Sequence, residues 1–212
     1  MIKDHNTIFF DLDGTLIDSA PQVIKSLKYT FDFFKIIPTR EITADLIGPT
    51  IHELIDDLLS DKVKTKFHEI LNKFKHFYDN ELCYESNCYF DVCNTLEFLR
   101  KKNSLILVTN KRLVPTKKIL EHKNLNQYFD DYYSVNQEDR SINNKEKLLK
   151  NIIEERALFS QNCTYIGDTS GDLLASQLND INFIFAEWGY GVIPENEKCL
   201  RANEFSELKK IF

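Results

Sequence analysis

From about residue 91 to residue 185 the sequence alternates between two hydrophobic periods, and nothing else in it restricts the fold as much. Apolar residues at helical spacing mark helices near Asp91 to Lys102, Val114 to His122, Asn144 to Arg156 and Ser170 to Leu178. Between and after them lie short runs of branched and aromatic residues that read as strands: Ser104 to Thr109, Tyr132 to Val135, Cys163 to Ile166 and Asn182 to Phe185. Strands separated by helices pair in parallel through crossovers. The pattern therefore predicts an α/β fold with a doubly wound, Rossmann-like parallel sheet.

One more strand, Thr7-Ile8-Phe9-Phe10, stands apart from this series. From Ser19 to about Tyr84 the signals are mostly helical: Val23, Leu27, Phe31 and Phe34 recur at helical spacing, as do Val63, Phe67, Ile70 or Leu71, Phe74 and Phe77 or Tyr78. Ile47-Gly48-Pro49-Thr50 reads as a turn, with Thr50 placed to cap the helix that carries Leu54, Ile55 and Leu58. The expected organisation is a discontinuous catalytic core, residues 1–17 and 86–212, with an α-helical cap inserted at 18–85. Its linkers fall near Leu16 to Ser19 and Tyr84 to Phe90. The aromatic residues Phe31, Phe33, Phe34, Phe67, Phe74 and Phe77 read as the core of the cap.

A length of 212 residues suits one domain with an insert. The net charge is -6 with lysines and arginines scattered among the acids, so no basic stripe is present to neutralise a nucleic-acid backbone. Neither a signal-peptide core nor a bilayer-spanning stretch is read, and a cytoplasmic location is expected. The five cysteines cannot all pair among themselves, and the spacing of Cys83, Cys88 and Cys93 differs from that of zinc sites, so reduced structural thiols are expected.

Four chemical signals fall at the ends of expected strands or starts of helices: Asp11 with Asp13, Thr109-Asn110, Lys145, and Gly167-Asp168-Thr169-Ser170-Gly171-Asp172. A sheet that gathered them would crowd Asp11, Asp13 and Asp168 together, and carboxylates so close need compensating cations. A hard divalent ion with oxygen ligands supplies part of that charge. Magnesium fits, since it keeps several waters and bridges few carboxylates to a substrate phosphate. Lys145 supplies another part. Other readings of the same residues fare worse. A calcium loop starting at Asp11 fails at Thr15, Leu16 and Gln22. His5, His52, His68, His76 and His122 form no close metal pair, and no serine elbow is present.

Asp-x-Asp-Gly-Thr after an apolar strand, a later strand ending in Thr, a lone Lys and then Gly-Asp-x-x-x-Asp, in that order, resemble the four signature motifs of the haloacid-dehalogenase-like superfamily. The helical insert after the first motif resembles that superfamily's C1 cap. Gly48-Pro49 and Trp188-Gly189-Tyr190-Gly191 are similar to segments of phosphoglycolate-phosphatase-like members. The resemblance implies that Asp11 attacks phosphorus to give an aspartyl-phosphate, and that Asp13 serves as acid and then base. It also implies Mg²⁺ held by Asp11, the Asp13 carbonyl and Asp168, with Thr109, the Asn110 amide and Lys145 holding the transferring oxygens. Asp172 would orient Lys145 or a metal-bound water, and Gly167 and Thr15 belong to the supporting set.

Many relatives place a proline after the third-motif lysine. Here the run is Asn143-Asn144-Lys145-Glu146-Lys147, so Lys147 is the alternative to Lys145. The implied function is hydrolysis of a small, anionic, phosphoglycolate-like phosphate monoester by a monomer or homodimer. A phosphomutase of the β-phosphoglucomutase type and a non-catalytic phosphate-binding module are the alternatives. A dehalogenase, which attacks carbon without a metal, would not need Asp13 or the Asp168 and Asp172 pair.

Overall fold

The structure, a computed structural model, describes residues 6–135 and 144–212; His5 and Asn143 lie outside them. Numbered along the chain, the main strands are β1 (Thr7–Phe10), β4 (Ser104–Thr109), β5 (Asp131–Ser134), β6 (Cys163–Gly167), β7 (Asn182–Ala186) and β8 (Leu200–Ala202). They form one sheet in the order β5-β4-β1-β6-β7-β8, and every pairing in it is parallel. Strands covered on both faces have no polar side, which is why β1, β4, β6 and β7 read as nearly continuous apolar runs. Ile8, Phe10, Leu105, Leu107 and Ile166 point to one face, whereas Phe9, Ile106, Val108 and Tyr165 point to the other.

Helices α4 (Val92–Leu99), α5 (Leu113–His122) and α8 (Leu208–Ile211) bury Val92, Leu96, Ile119, Leu120 and Leu208 on the first face. Helices α6 (Lys145–Glu155) and α7 (Ser170–Leu178) bury Leu148, Leu149, Ile152 and Leu173 on the second. The chain steps from β1 to β4 and outward to β5, then returns to the other side of β1 for β6, β7 and β8. The direction of winding therefore reverses beside β1, and the crevice at its carboxyl end is the place where open α/β sheets take ligands.

The segment between β1 and β4 is helical, with α1 (Ala20–Phe34), α2 (Ile51–Leu58) and α3 (Phe67–Phe77), the last running into a π-helical turn at Tyr78–Leu82. Thr50 caps α2 in a reciprocal box: its hydroxyl accepts from Glu53 N, and the Glu53 carboxylate accepts from Thr50 N. Leu27, Phe31, Leu54, Ile55, Ile70 and Phe74 belong to the same apolar cluster as the first face of the sheet, so insert and sheet share a core. Phe33 does not join it and is 58% exposed. Its place on α1 turns it outward, where the Lys73 amine lies 4.1 Å from the ring centroid.

Three strands escape a reading of the sequence. β2 (Ile17–Asp18) and β3 (Asn87–Cys88) pair antiparallel where only linkers are expected, so the two connections brace one another. Segments of two residues carry no period to read. β8 has an arginine at its centre and an exposed Leu200, and its place is set by pairing with β7 and by Arg201, which meets Glu187 at 2.6 Å beside the Phe185 ring. No helix among the described residues is long and apolar enough to cross a membrane. Thr50→Ala removes one half of the capping box and is expected to cost about 1 kcal/mol of stability, read as a lower urea midpoint at unchanged slope.

Candidate active site

Asp11 continues β1 by one residue, its N–H donating to Ile166 O at 3.0 Å, so its carboxylate emerges in the crevice between β4 and β6. The chain then turns tightly, with Leu16 N donating to Leu12 O at 2.9 Å and Gly14 N to Ile17 O at 2.9 Å. Gly14 has φ +75°, and a Cβ there would lie 2.1 Å from Asp168 Oδ2. From the other side, a Cβ on Gly189 would lie 2.2 Å from Asp168 Cβ. Only glycine at both positions leaves room for the fully buried Asp168 side chain. Tyr190 N donates to Asp168 Oδ2 at 2.8 Å, and Thr15 Oγ1 to Asp168 Oδ1 at 3.4 Å.

Asp168 is the first residue past β6, and α7 begins two residues later. Thr169 caps α7 by accepting from Asp172 N, while Asp172 Oδ2 accepts from Thr169 N at 3.0 Å. The other oxygen, Asp172 Oδ1, accepts from Lys145 Nζ. Asp172 thus serves the helix start and the lysine at once. Gly167 makes this possible, because a Cβ there would lie 2.6 Å from the Asp172 carboxyl carbon.

Lys145 is the first residue of α6, whose cap, Asn144, accepts from Lys147 N at 2.9 Å. Proline after the lysine would have occupied the first turn, where the backbone N–H has no helical acceptor, so Glu146 in its place leaves the helix start intact. The Lys145 side chain is buried, with Nζ 3.1 Å from Asp11 Oδ1, whereas Lys147 is exposed. Of the two candidate lysines, Lys145 is the one beside the acids.

The three carboxylates that converge are Asp11, Asp168 and Asp172, each offering an oxygen within 4.8 Å of the others. The crowding expected from the sequence had Asp13 in place of Asp172. The Asp13 side chain instead turns toward the helical insert, where Oδ1 lies 2.8 Å from Lys111 Nζ and accepts from Ser19 Oγ. Thr109 and Asn110 line the same cavity as Asp11 and Asp13, and Asn110 Nδ2 donates to Gly48 O at 3.0 Å, tying β4 to the insert.

Several neighbours of the site carry no signal in a strand-end reading. Lys111 bridges Asp13 and the Tyr78 hydroxyl, the latter at 2.9 Å. Arg112 grips Asp79 with both terminal nitrogens, one of them at 2.9 Å. Tyr190 OH accepts from Ser19 N at 2.6 Å and Ala20 N at 3.0 Å, and so caps α1. Proximity to Thr109-Asn110 is the one available hint for Lys111; Asp79 is remote in sequence from Arg112, and Tyr190 from Asp168.

Burial sets the electrostatics. It pushes the Asp11 carboxyl up to about 6, Lys145 pulling it down and Asp172 and Asp13 pushing it further up. Burial likewise pushes Asp168 up to about 8, reinforced by Asp172 and Asp11. Burial alone would lower the Lys145 amine, but Asp11 and Asp172 outweigh it and hold it above its usual value. One ammonium thus faces three carboxylates. Asp11 Oδ1 accepts no hydrogen bond among the described residues, although Lys145 is within ion-pairing distance. An all-oxygen donor set with surplus negative charge and an unsatisfied carboxylate oxygen fits a hard divalent cation such as magnesium.

A folded Asp168 with its value near 8 keeps a proton that the unfolded chain gives up near 3.8, so metal-free protein loses stability as pH rises between those values. Thermal melts in EDTA are expected to show a midpoint falling with pH across that window, and Mg²⁺ is expected to flatten the slope. A midpoint in EDTA that stays level would contradict the burial-driven shift.

A family model described as haloacid dehalogenase-like hydrolase matches residues 8–186. A phosphoglycolate phosphatase from Aquifex aeolicus is 31% identical over 188 residues, covering 86% of this chain and 85% of its own length. Pyrophosphatase PpaX from Bacillus mycoides is 26% identical over 185 residues, covering 86% and 84%. A solved haloacid dehalogenase-like hydrolase from Streptococcus pneumoniae, 21% identical, superposes with a TM-score of 0.85 over 100% of both chains, and so shares the fold. With the family model spanning the first strand to the seventh, this chain belongs to the haloacid dehalogenase-like hydrolase family and resembles its phosphoglycolate-phosphatase-like members.

Proposed function

We propose that this enzyme is a magnesium-dependent phosphatase that hydrolyses a small phosphate monoester through an aspartyl-phosphate on Asp11. The observation that carries this reading is the meeting of Asp11, Asp168 and Lys145 at the carboxyl end of β1, beside a cavity that the helical insert closes. Residues 1–17 and 86–212 act as the catalytic core and 18–85 as the cap. A cytoplasmic setting, with the five cysteines as reduced thiols, belongs to the same reading.

In the first step an oxygen of Asp11 forms a bond to phosphorus as the bond from phosphorus to the ester oxygen breaks. The departing oxygen takes a proton from Asp13, whose side chain faces the cap side of the cavity. In the second step water attacks the same phosphorus, Asp13 takes its proton, and phosphate leaves with Asp11 restored. Lys145 holds Asp11 in place and offsets charge on the transferring group, while Thr109 and the Asn110 amide bind its oxygens. Asp172 fixes Lys145 through the bond from Nζ to Oδ1. Asp11, Asp168 and the Asp13 carbonyl would hold Mg²⁺, which when bound supplies Lewis acidity and an anchor for a phosphate oxygen.

Phosphate release from a panel of small esters is expected with Mg²⁺ and not with EDTA. Asp11→Asn should reduce it by at least about a thousandfold, since the nucleophile is lost. Lys145→Met should cost activity severely and Lys147→Met little; equal losses would sink the assignment of the lysine. The relatives' names span phosphoglycolate and pyrophosphate, which differ in the group that leaves. That choice belongs to the wall of the cavity and not to the acids.

A further inference from the structure

We infer that Tyr190 is a positioning residue: it couples the Asp168 carboxylate to the two connections of the helical insert, so that an ion on Asp168 and the seating of the insert influence one another. The inference rests on the magnesium reading only for what occupies Asp168. The loop after β7 meets the acid first. Tyr190 N donates to Asp168 Oδ2 at 2.8 Å, and Trp188 Nε1 donates at 2.9 Å to the carbonyl of Thr15, whose hydroxyl reaches Asp168 Oδ1 at 3.4 Å. Both carboxylate oxygens are therefore oriented from this loop, one directly and one through Thr15. The fit leaves no slack, since a Cβ on Gly189 would lie 2.2 Å from Asp168 Cβ and one on Gly191 would lie 2.1 Å from Asp168 O. A displacement of Asp168 must move the loop with it.

The far end of the same residue holds the insert. Ser19, fully buried, stands at the start of α1, yet its hydroxyl is given to Asp13 and makes no cap bond, and the first turn carries no acid. The amide donors there need an acceptor from elsewhere. Tyr190 OH supplies it, accepting from Ser19 N at 2.6 Å and Ala20 N at 3.0 Å while donating to Asp18 Oδ1 at 2.8 Å. Its lone pairs and its proton are then all engaged. The second connection is attached to the first through the β2 and β3 pair and through Tyr89 N, which donates to Leu16 O at 3.1 Å. One stiff aromatic side chain thus stands between the acid and both connections.

Hydrogen exchange at two amides that do not touch Tyr190 reads the coupling: Val23 N, bonded to Ser19 O at 3.0 Å, and Tyr89 N. In the unaltered protein Mg²⁺ is expected to slow both by at least about fivefold, the lower end of what coupled sites show. Tyr190→Phe keeps the N–H on Asp168 and loses only the hydroxyl. Its Mg²⁺ affinity by calorimetry is expected to fall by at least about fivefold, and at saturating Mg²⁺ its two amides are expected to exchange as they do without the ion. A hydroxyl that merely stabilised the insert would speed exchange equally with and without the ion and leave the affinity alone. Thr50→Ala, which weakens the insert away from the loop, is expected to keep both the affinity and the slowing. Unchanged affinity in Tyr190→Phe, or Mg²⁺ that binds the unaltered protein without slowing either amide, overturns the inference. Asp168→Ala in EDTA separates it from magnesium, and both amides are expected to exchange faster there than in the unaltered protein. Should Mg²⁺ fail to bind while Asp168→Ala still speeds them, the magnesium reading falls and the coupling stands; exchange unchanged by Asp168→Ala overturns the coupling.

Discussion

Three buried carboxylates share one ammonium at the carboxyl end of the central strand, and the surrounding structure is arranged to hold that imbalance. Like charges at this range repel, and removal from water makes each charge dearer, so Asp11 and Asp168 are pushed upward in pKa. Packing keeps them together. Asp168 is enclosed between the backbones of Gly14 and Gly189, and Asp172 is locked into the first turn of α7 by Thr169. On the proposed function, anions crowded this way favour a cation and, through it, a phosphoryl group.

The fold positions these groups by topology. Because β1 lies between β4 and β6, one step of the sheet on either side brings Thr109 and Asp168 beside Asp11, although well over half of the chain separates the two acids. The helical insert closes the fourth side. It is joined to the sheet by a shared apolar cluster and by polar bridges from Lys111 to Tyr78, Arg112 to Asp79 and Asn110 to Gly48. On the proposed function, phosphate chemistry falls to strand ends and helix starts, and leaving-group selection to the cavity wall that the insert contributes.

That division also explains what the sequence disclosed. Asp11, Thr109 and Asp168 are visible because each ends an apolar run, and a carboxylate or hydroxyl at a strand's end stands out against Val, Ile and Phe. Lys145 is visible only through its helix: Asn144 is a good cap, and the side chain at the first helical position turns into the crevice. The insert's helices and the Thr50 cap follow from their 3.6-residue period. By contrast, β2, β3 and β8 exist through pairing and leave no period to detect. The same holds for the turn of Asp13 toward Lys111 and Ser19, and for the grip of Arg112 on Asp79. These depend on residues distant in sequence whose meeting only tertiary packing decides. Phe33 illustrates the converse error, an aromatic counted with the cap core that lies off the stripe of Phe31 and Phe34 and faces solvent.

On the proposed function, the acids around Lys145 form a divalent-cation site whose occupancy displaces protons. Calorimetric titration of Mg²⁺ into the protein near neutral pH, in two buffers of different ionisation heat, tests this directly. The expected result is a single site whose heat depends on the buffer, because protons leave as the ion enters, and loss of that site in Asp168→Asn. Mg²⁺ binding that is absent in the unaltered protein, or equally strong in Asp168→Asn, would contradict it.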